Sequence, residues 1–235
     1  MNYQHLAYLK EKGMTWFNPC HGIVDFWKEY DLIAERYQKL NHKQIWSHRN
    51  LKKSREILAT AIIAKALEKS TGLTWWINKP AHDPPDGVVM TLIKNKIHVR
   101  EVEVVESVRG NVLETIQNKL KDKRYEPNTI LVCHLSFEGQ YDLGLIHTQI
   151  SKLNLPLSHI FCTFVGVQMC ELNRTNKLYK YAAVQISPTY AYISIDTYDD
   201  CRRWGSGHEP HFYISEGLGI GEMRSIAVDR KPSLF

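Results

Sequence analysis

The stretch that decides the reading runs from residue 82 to 106, HDPPDGVVMTLIKNKIHVREVEVVE. Val88 to Ile93 and Ile97 to Glu106 are β-rich runs, and Lys94-Asn95 between them has the length of a tight hairpin turn. A two-residue turn pairs Ile93 with Lys96, which sets Val88 opposite Glu101 and Asp86 opposite Glu103. Opposed residues point to the same side of a sheet, and Glu101 and Glu103 share a face because strand side chains alternate. Three carboxylates are therefore expected to converge at the end of the hairpin away from its turn. A three-residue turn would set Asp86 against Val104 and scatter them unless a bulge restored the register.

Clustered carboxylates repel one another unless a cation sits among them. Oxygen ligands suit Mg²⁺ or Mn²⁺ rather than zinc. Such an ion completes its shell with waters and substrate phosphate oxygens, which supports attack of an activated water on a phosphodiester.

Working outward, the segment after Asn50, LKKSREILATAIIAKALEKS, is rich in helix formers. Asn50 is its expected N-cap and Gly72 its expected stop. Thr74 to Ile77 reads as a strand ended by Asn78-Lys79-Pro80. Asn111 to Lys123 reads as a helix, with Val112, Leu113, Ile116 and Leu120 at helical spacing. Thr129 to Leu135 and Ile160 to Val167 are apolar runs expected to be buried strands, with a helix near Leu143 to Leu153 between them. Lys180 to Ile195 is β-rich, and Val24 to Leu40 is a further expected helix. From residue 50 to 167 the order is helix, three strands, helix, strand, helix, strand. That order predicts an α/β fold with a mixed central β-sheet flanked by helices. The expected organisation is an N-terminal helical extension (1–49), a core (50–170) and a C-terminal β-rich extension of the same domain (171–235).

Pro85-Asp86, followed by Glu101-Val102-Glu103 on the next strand within this element order, resembles the PD-(D/E)XK nuclease superfamily over about residues 50–167. The resemblance implies a restriction-endonuclease-like αβββαβ core and a Mg²⁺- or Mn²⁺-dependent endonuclease acting on DNA rather than RNA. It assigns Asp86 and Glu101 as metal-binding acids, with the Val102 carbonyl as a further ligand. Glu56, in the preceding helix, stands where some members place another acid. Glu103 falls where the pattern has lysine, a position that some restriction endonucleases also fill with Glu. Lysine relocation to the next helix also occurs, which makes Lys121 or Lys119 a replacement. Gln117 and Lys121 form Gln-x-x-x-Lys, akin to the Gln-x-x-x-Tyr of some members. A second register takes Glu103 as the motif acid of Glu103-Val104-Val105 and favours a catalytically inactive nucleic-acid-binding or assembly module. Glu106 lies on the other face of an unbulged strand and carries less weight.

Composition agrees with a nucleic-acid partner without requiring one. The chain has 235 residues, is 43% hydrophobic and 23% charged, and carries a net charge of +5, which excludes wholesale disorder. Arg36, Lys39, Lys43, Arg49, Lys52, Lys53 and Arg55 lie in a span without acidic residues. Such a stretch suits backbone phosphates, and Lys43, Arg49, Lys52, Lys53, Gln117 and Lys119 are the expected contacts. No apolar run is long enough for a membrane-spanning helix, and MNYQHLAYLKEKG lacks a secretory signal's apolar core. The five cysteines, Cys20, Cys133, Cys162, Cys170 and Cys201, form no CxxC, so a reducing cytoplasmic compartment is expected. A homodimer is a further expectation.

Other constellations are weaker. Cys133-His134 lies on an apolar strand, where a thiol is inert and its neighbour faces away. His208-Glu209-Pro210-His211 is not HExxH, and the glycines at 217, 219 and 221 lack a dinucleotide-site context. Trp75 and Trp76 read as packing residues.

Overall fold

The computed structural model describes residues 15–80, 85–94, 96–107, 111–121, 125, 128–135, 141–153, 155, 157, 159–165, 180–197, 199–201 and 212–213. The His208 and Gly217 motifs lie outside these residues, as do Cys170 and residues 122 and 123 at the end of the helix expected over Asn111 to Lys123.

Helix α1 spans Pro19–Arg36. It starts ahead of the expected Val24 because Asn18 caps it, accepting from the Cys20 N–H, and Pro19 supplies a pre-set φ in the first turn. It stops at Tyr37, short of the expected Leu40. A short α2, His42–Trp46, carries a capping box between Asn41 and Gln44. A 3-10 turn, Arg49–Leu51, leads into α3, Lys52–Thr71. Asn50 lies within that turn, and the cap there is His48, whose ring accepts from the Asn50 N–H. Gly72 ends α3 in the left-handed region at φ 68°, as its position predicts.

The main sheet has seven strands in sequence order: β2 (Trp75–Asn78), β3 (Gly87–Ile93), β4 (Lys96–Ser107), β5 (Ile130–Leu135), β6 (His159–Val165), β7 (Lys180–Ser187) and β8 (Ala191–Asp196). The β4–β5 and β5–β6 pairs are parallel and the other four antiparallel, so the sheet is mixed. A small pair, β1 (Thr15–Trp16) with β9 (Phe212–Tyr213), adjoins its β2 edge through a Phe17–Ile77 bridge.

The alternation of side chains sorts the sheet into two faces. Val102, Val104, Ile130, Val132, Phe161 and Ala183 pack with α1 and α3. Leu131, Cys133, Cys162 and Val184 face the other way, with α4 (Val112–Lys121) and α5 (Leu143–Ser151) over them. Helix α3 is buried on most sides, with Leu58, Ala61, Ile62 and Ile63 fully inside, because α1 covers it from without. The buried side of α1 therefore belongs to the same core as the sheet, and β7 and β8 complete that sheet. Gly87 lets α3 approach β3: a Cβ there would meet the Thr60 Oγ1 at 2.3 Å. Among the described residues no helix is long and apolar enough to cross a membrane.

Candidate functional site

Ile93 pairs with Lys96 across the hairpin, and Lys94 takes φ 50°. The register that follows sets Val88 opposite Glu101 and Gly87 opposite Val102, as the sequence predicts for a two-residue turn. At Val102 strand β4 changes partners. It pairs with β3 from Lys96 to Val102 and with β5 from Val102 to Ser107. Beyond that point β3 no longer supplies backbone to β4. The Asp86 carboxylate takes over: its Oδ2 accepts from the Val104 N–H at 2.8 Å. Asp86 is thus held at the fork where β3 leaves β4, beside Glu103.

Glu103 lies on the α4 face, and its side chain is only 5% exposed. Lys119 of α4 reaches it, with Nζ 3.0 Å from Oε2. The spacing explains why. Val112 and Ile116 are the buried positions of α4, and Lys119 follows Ile116 by three residues, on the same face. Lys121 falls off that face, is exposed and donates to the Asn118 Oδ1 at 3.3 Å. Tyr125 closes the group: its hydroxyl donates to the Lys119 carbonyl at 3.2 Å. Burial, then the charges of Glu103 and Asp86, push its phenol above its ordinary value. Asp86, Glu103, Lys119 and Tyr125 therefore form one polar cluster beneath α4. Tyr125 carried no motif signal, because it lies beyond the helix and arrives through Lys119.

The other expected residues are placed as follows. Glu101 stands nearer the turn, half-buried, on the Glu103 face. The Val102 side chain is buried in the α3-side core, leaving only its backbone for any ligand. Glu56 is 5% exposed on α3, the helix that packs against the opposite face, and is ion-paired to Lys53 at 3.1 Å and Lys52 at 3.7 Å. Gln117 is half-buried on α4. Lys43, Arg49, Lys52 and Lys53 are all exposed, along α2, the 3-10 turn and the start of α3. Arg55, from the same basic stretch, is instead buried and bonded to Glu106.

Among the described residues no group of three or more His, Cys, Asp or Glu side chains is placed to hold a metal ion. Mg²⁺ keeps several waters and commonly takes one or two protein carboxylates. Asp86 and Glu103, both within electrostatic reach of Tyr125, are the two acids of this cluster. The cluster combines an acid of β4, an acid just before β3 and a lysine of α4.

No protein-family model matches the chain, and no curated protein or solved structure matches it.

Proposed function

We propose that the chain is a metal-dependent endonuclease of the PD-(D/E)XK type, hydrolysing phosphodiester bonds of DNA at the fork between β3 and β4. The observation that carries this reading is the ion pair between Glu103 and Lys119 beside Asp86. It supports the second register, with Glu103 as the strand acid, and answers that register's lack of a lysine with one from the following helix, so that an acid–acid–lysine set would be complete.

In this reading Asp86 and Glu103 hold Mg²⁺ or Mn²⁺, and the ion would supply an activated water and neutralise phosphate charge. Lys119 orients the attacking water or stabilises the developing charge on phosphate. Tyr125, bonded to the Lys119 carbonyl, fixes the end of α4 against the cluster. Glu101 lies outside the pair and serves as a flanking acid. The exposed Lys43, Arg49, Lys52 and Lys53 contact the nucleic-acid backbone, which makes binding fall steeply with salt.

A second reading has one observation in its favour. Asp86 already accepts from the Val104 N–H, and Glu103 is already neutralised by Lys119. A protein that kept the fold as a nucleic-acid-binding module would look the same. Cleavage of labelled single- and double-stranded DNA and RNA with Mg²⁺ or Mn²⁺ separates the two. Metal-dependent cutting that Asp86→Asn abolishes is the expected result. Salt-sensitive binding with no cutting and no metal requirement would establish the inactive module instead.

A further inference from the structure

We propose that Arg55 is a positioning residue that sets the distance and angle between the exposed basic segment 43–53 and the β3–β4 fork. The inference rests on the reading above and adds to it how substrate backbone is registered on the site.

Arg55 joins two parts of the molecule that lie far apart in sequence. Its Nη1 donates to the Trp46 carbonyl at the end of α2, at 2.5 Å, and to the His48 carbonyl before the 3-10 turn, at 3.2 Å. Its Nε donates to Glu106 Oε1, and its Nη2 donates to Glu106 Oε2 at 3.2 Å. Both carboxylate oxygens of Glu106 are thus held by one guanidinium fork, the geometry that only arginine provides. Arg55 is 4% exposed, so little solvent screens the contact.

The two ends of this clasp matter. Trp46 and His48 bracket the turn between Lys43 on one side and Arg49, Lys52 and Lys53 on the other. Glu106 lies on β4, three residues beyond Glu103 and on the opposite, α3-side face of the sheet, so the clasp reaches the fork through the strand itself. A second contact braces the same joint: the Trp46 ring stacks on His134 of β5, with centroids 5.8 Å apart and planes at 21°. His134 stands in register with Glu106 on one side and Thr163 on the other. Its Nδ1 is 2.9 Å from the Thr163 Oγ1, which holds the ring in place. The basic segment is therefore fastened to the carboxyl ends of the parallel strands by one charged clasp and one ring stack. Neither contact uses the exposed lysines themselves.

A clasp of this kind has a specific signature. If Arg55 presents the basic segment to the substrate, losing the clasp and losing a lysine of the segment remove the same interaction. Their effects then fail to add. If Arg55 only stabilises the fold, the two losses are independent and add.

The test is a double-mutant cycle on binding of a fluorescently labelled DNA duplex, read by anisotropy over a range of salt. The single variants are Arg55→Lys, which keeps the charge and loses the fork, and Lys52→Ala. Each is expected to weaken binding about tenfold, and Lys52→Ala to lower the salt slope by about one. In the Arg55→Lys background, Lys52→Ala is expected to change neither affinity nor slope further. Glu106→Gln repeats the cycle from the other end of the clasp, with thermal melts confirming that each variant folds. Additive losses in both cycles overturn the proposal. So does loss of a cooperative melt in both clasp variants, which would make the pair a structural brace. A wild-type protein that binds no duplex at all defeats the functional reading itself, and the clasp's role falls with it.

Discussion

The Lys119 ammonium lies 3.0 Å from the Glu103 carboxylate, joining helix α4 to the centre of strand β4. Glu103 is almost fully buried there, so the pair is more than a surface contact. Removing one partner from such a site costs more than the pair contributes when intact. Lys119→Ala is expected to lower unfolding free energy by about 2 kcal/mol, because a buried carboxylate loses its counter-charge. Lys121→Ala is expected to be neutral, since that side chain is exposed and bonds to Asn118 on its own helix. Urea denaturation of the two variants checks the contrast. Equal losses would show that Lys119 does not neutralise Glu103.

Asp86 serves the fold as well as the proposed chemistry. Its carboxylate replaces the β3 backbone as the acceptor for the Val104 N–H. Asp86→Ala should therefore destabilise the protein by about 1–2 kcal/mol, and Asp86→Asn by less, because the amide oxygen still accepts. Hydrogen exchange at Val104 reports it directly: faster in Asp86→Ala, nearly unchanged in Asp86→Asn.

Gly87 is required by close approach rather than by backbone conformation. A Cβ would meet the Thr60 Oγ1 at 2.3 Å and Cγ2 at 2.9 Å, so Gly87→Ala must displace α3 or the Thr60 side chain. A loss of about 1–3 kcal/mol is expected for this overpacking. Thr60→Ala in the same chain should recover part of it, measured by the same denaturation. Absence of recovery would place the clash elsewhere.

Burial holds the His134 imidazole down from 6.5 to about 4, with Glu106 opposing that shift and Arg55 adding to it. The folded protein then keeps His134 neutral where the unfolded chain protonates it. Its contribution is present in full above about pH 6.5 and is lost as pH falls from there toward 4. Across that window the loss is on the order of 3 kcal/mol. Urea midpoints at pH 7 and pH 5 measure it. His134→Leu should flatten the dependence, and an unchanged slope in that variant would assign the effect to other groups.

Much of this was legible in the sequence, and the parts that were not have local reasons. The hairpin register followed from the two-residue turn and from nothing else. The strands β5 and β6 announced themselves as apolar runs because both of their faces are covered. Lys119 was harder. The Gln117–Lys121 spacing drew the eye, yet the buried positions Val112 and Ile116 put Lys119 on the face that meets the sheet. Arg55 read as one more cation in a solvated stretch, because its partner Glu106 lies 51 residues away and no local pattern links them. The start of α3 was misplaced for a different reason: Asn50 has good capping chemistry, but the 3-10 turn uses His48 ahead of it.

In the proposed function Asp86 and Glu103 together hold a divalent cation beside Lys119. Calorimetric titration of Mn²⁺ into the folded protein tests it most directly, because it needs no substrate. One site is expected, lost or weakened by about tenfold or more in both Asp86→Asn and Glu103→Gln while each variant keeps a cooperative melt. Wild-type protein that takes up no Mn²⁺, or uptake that survives both substitutions unchanged, would contradict it.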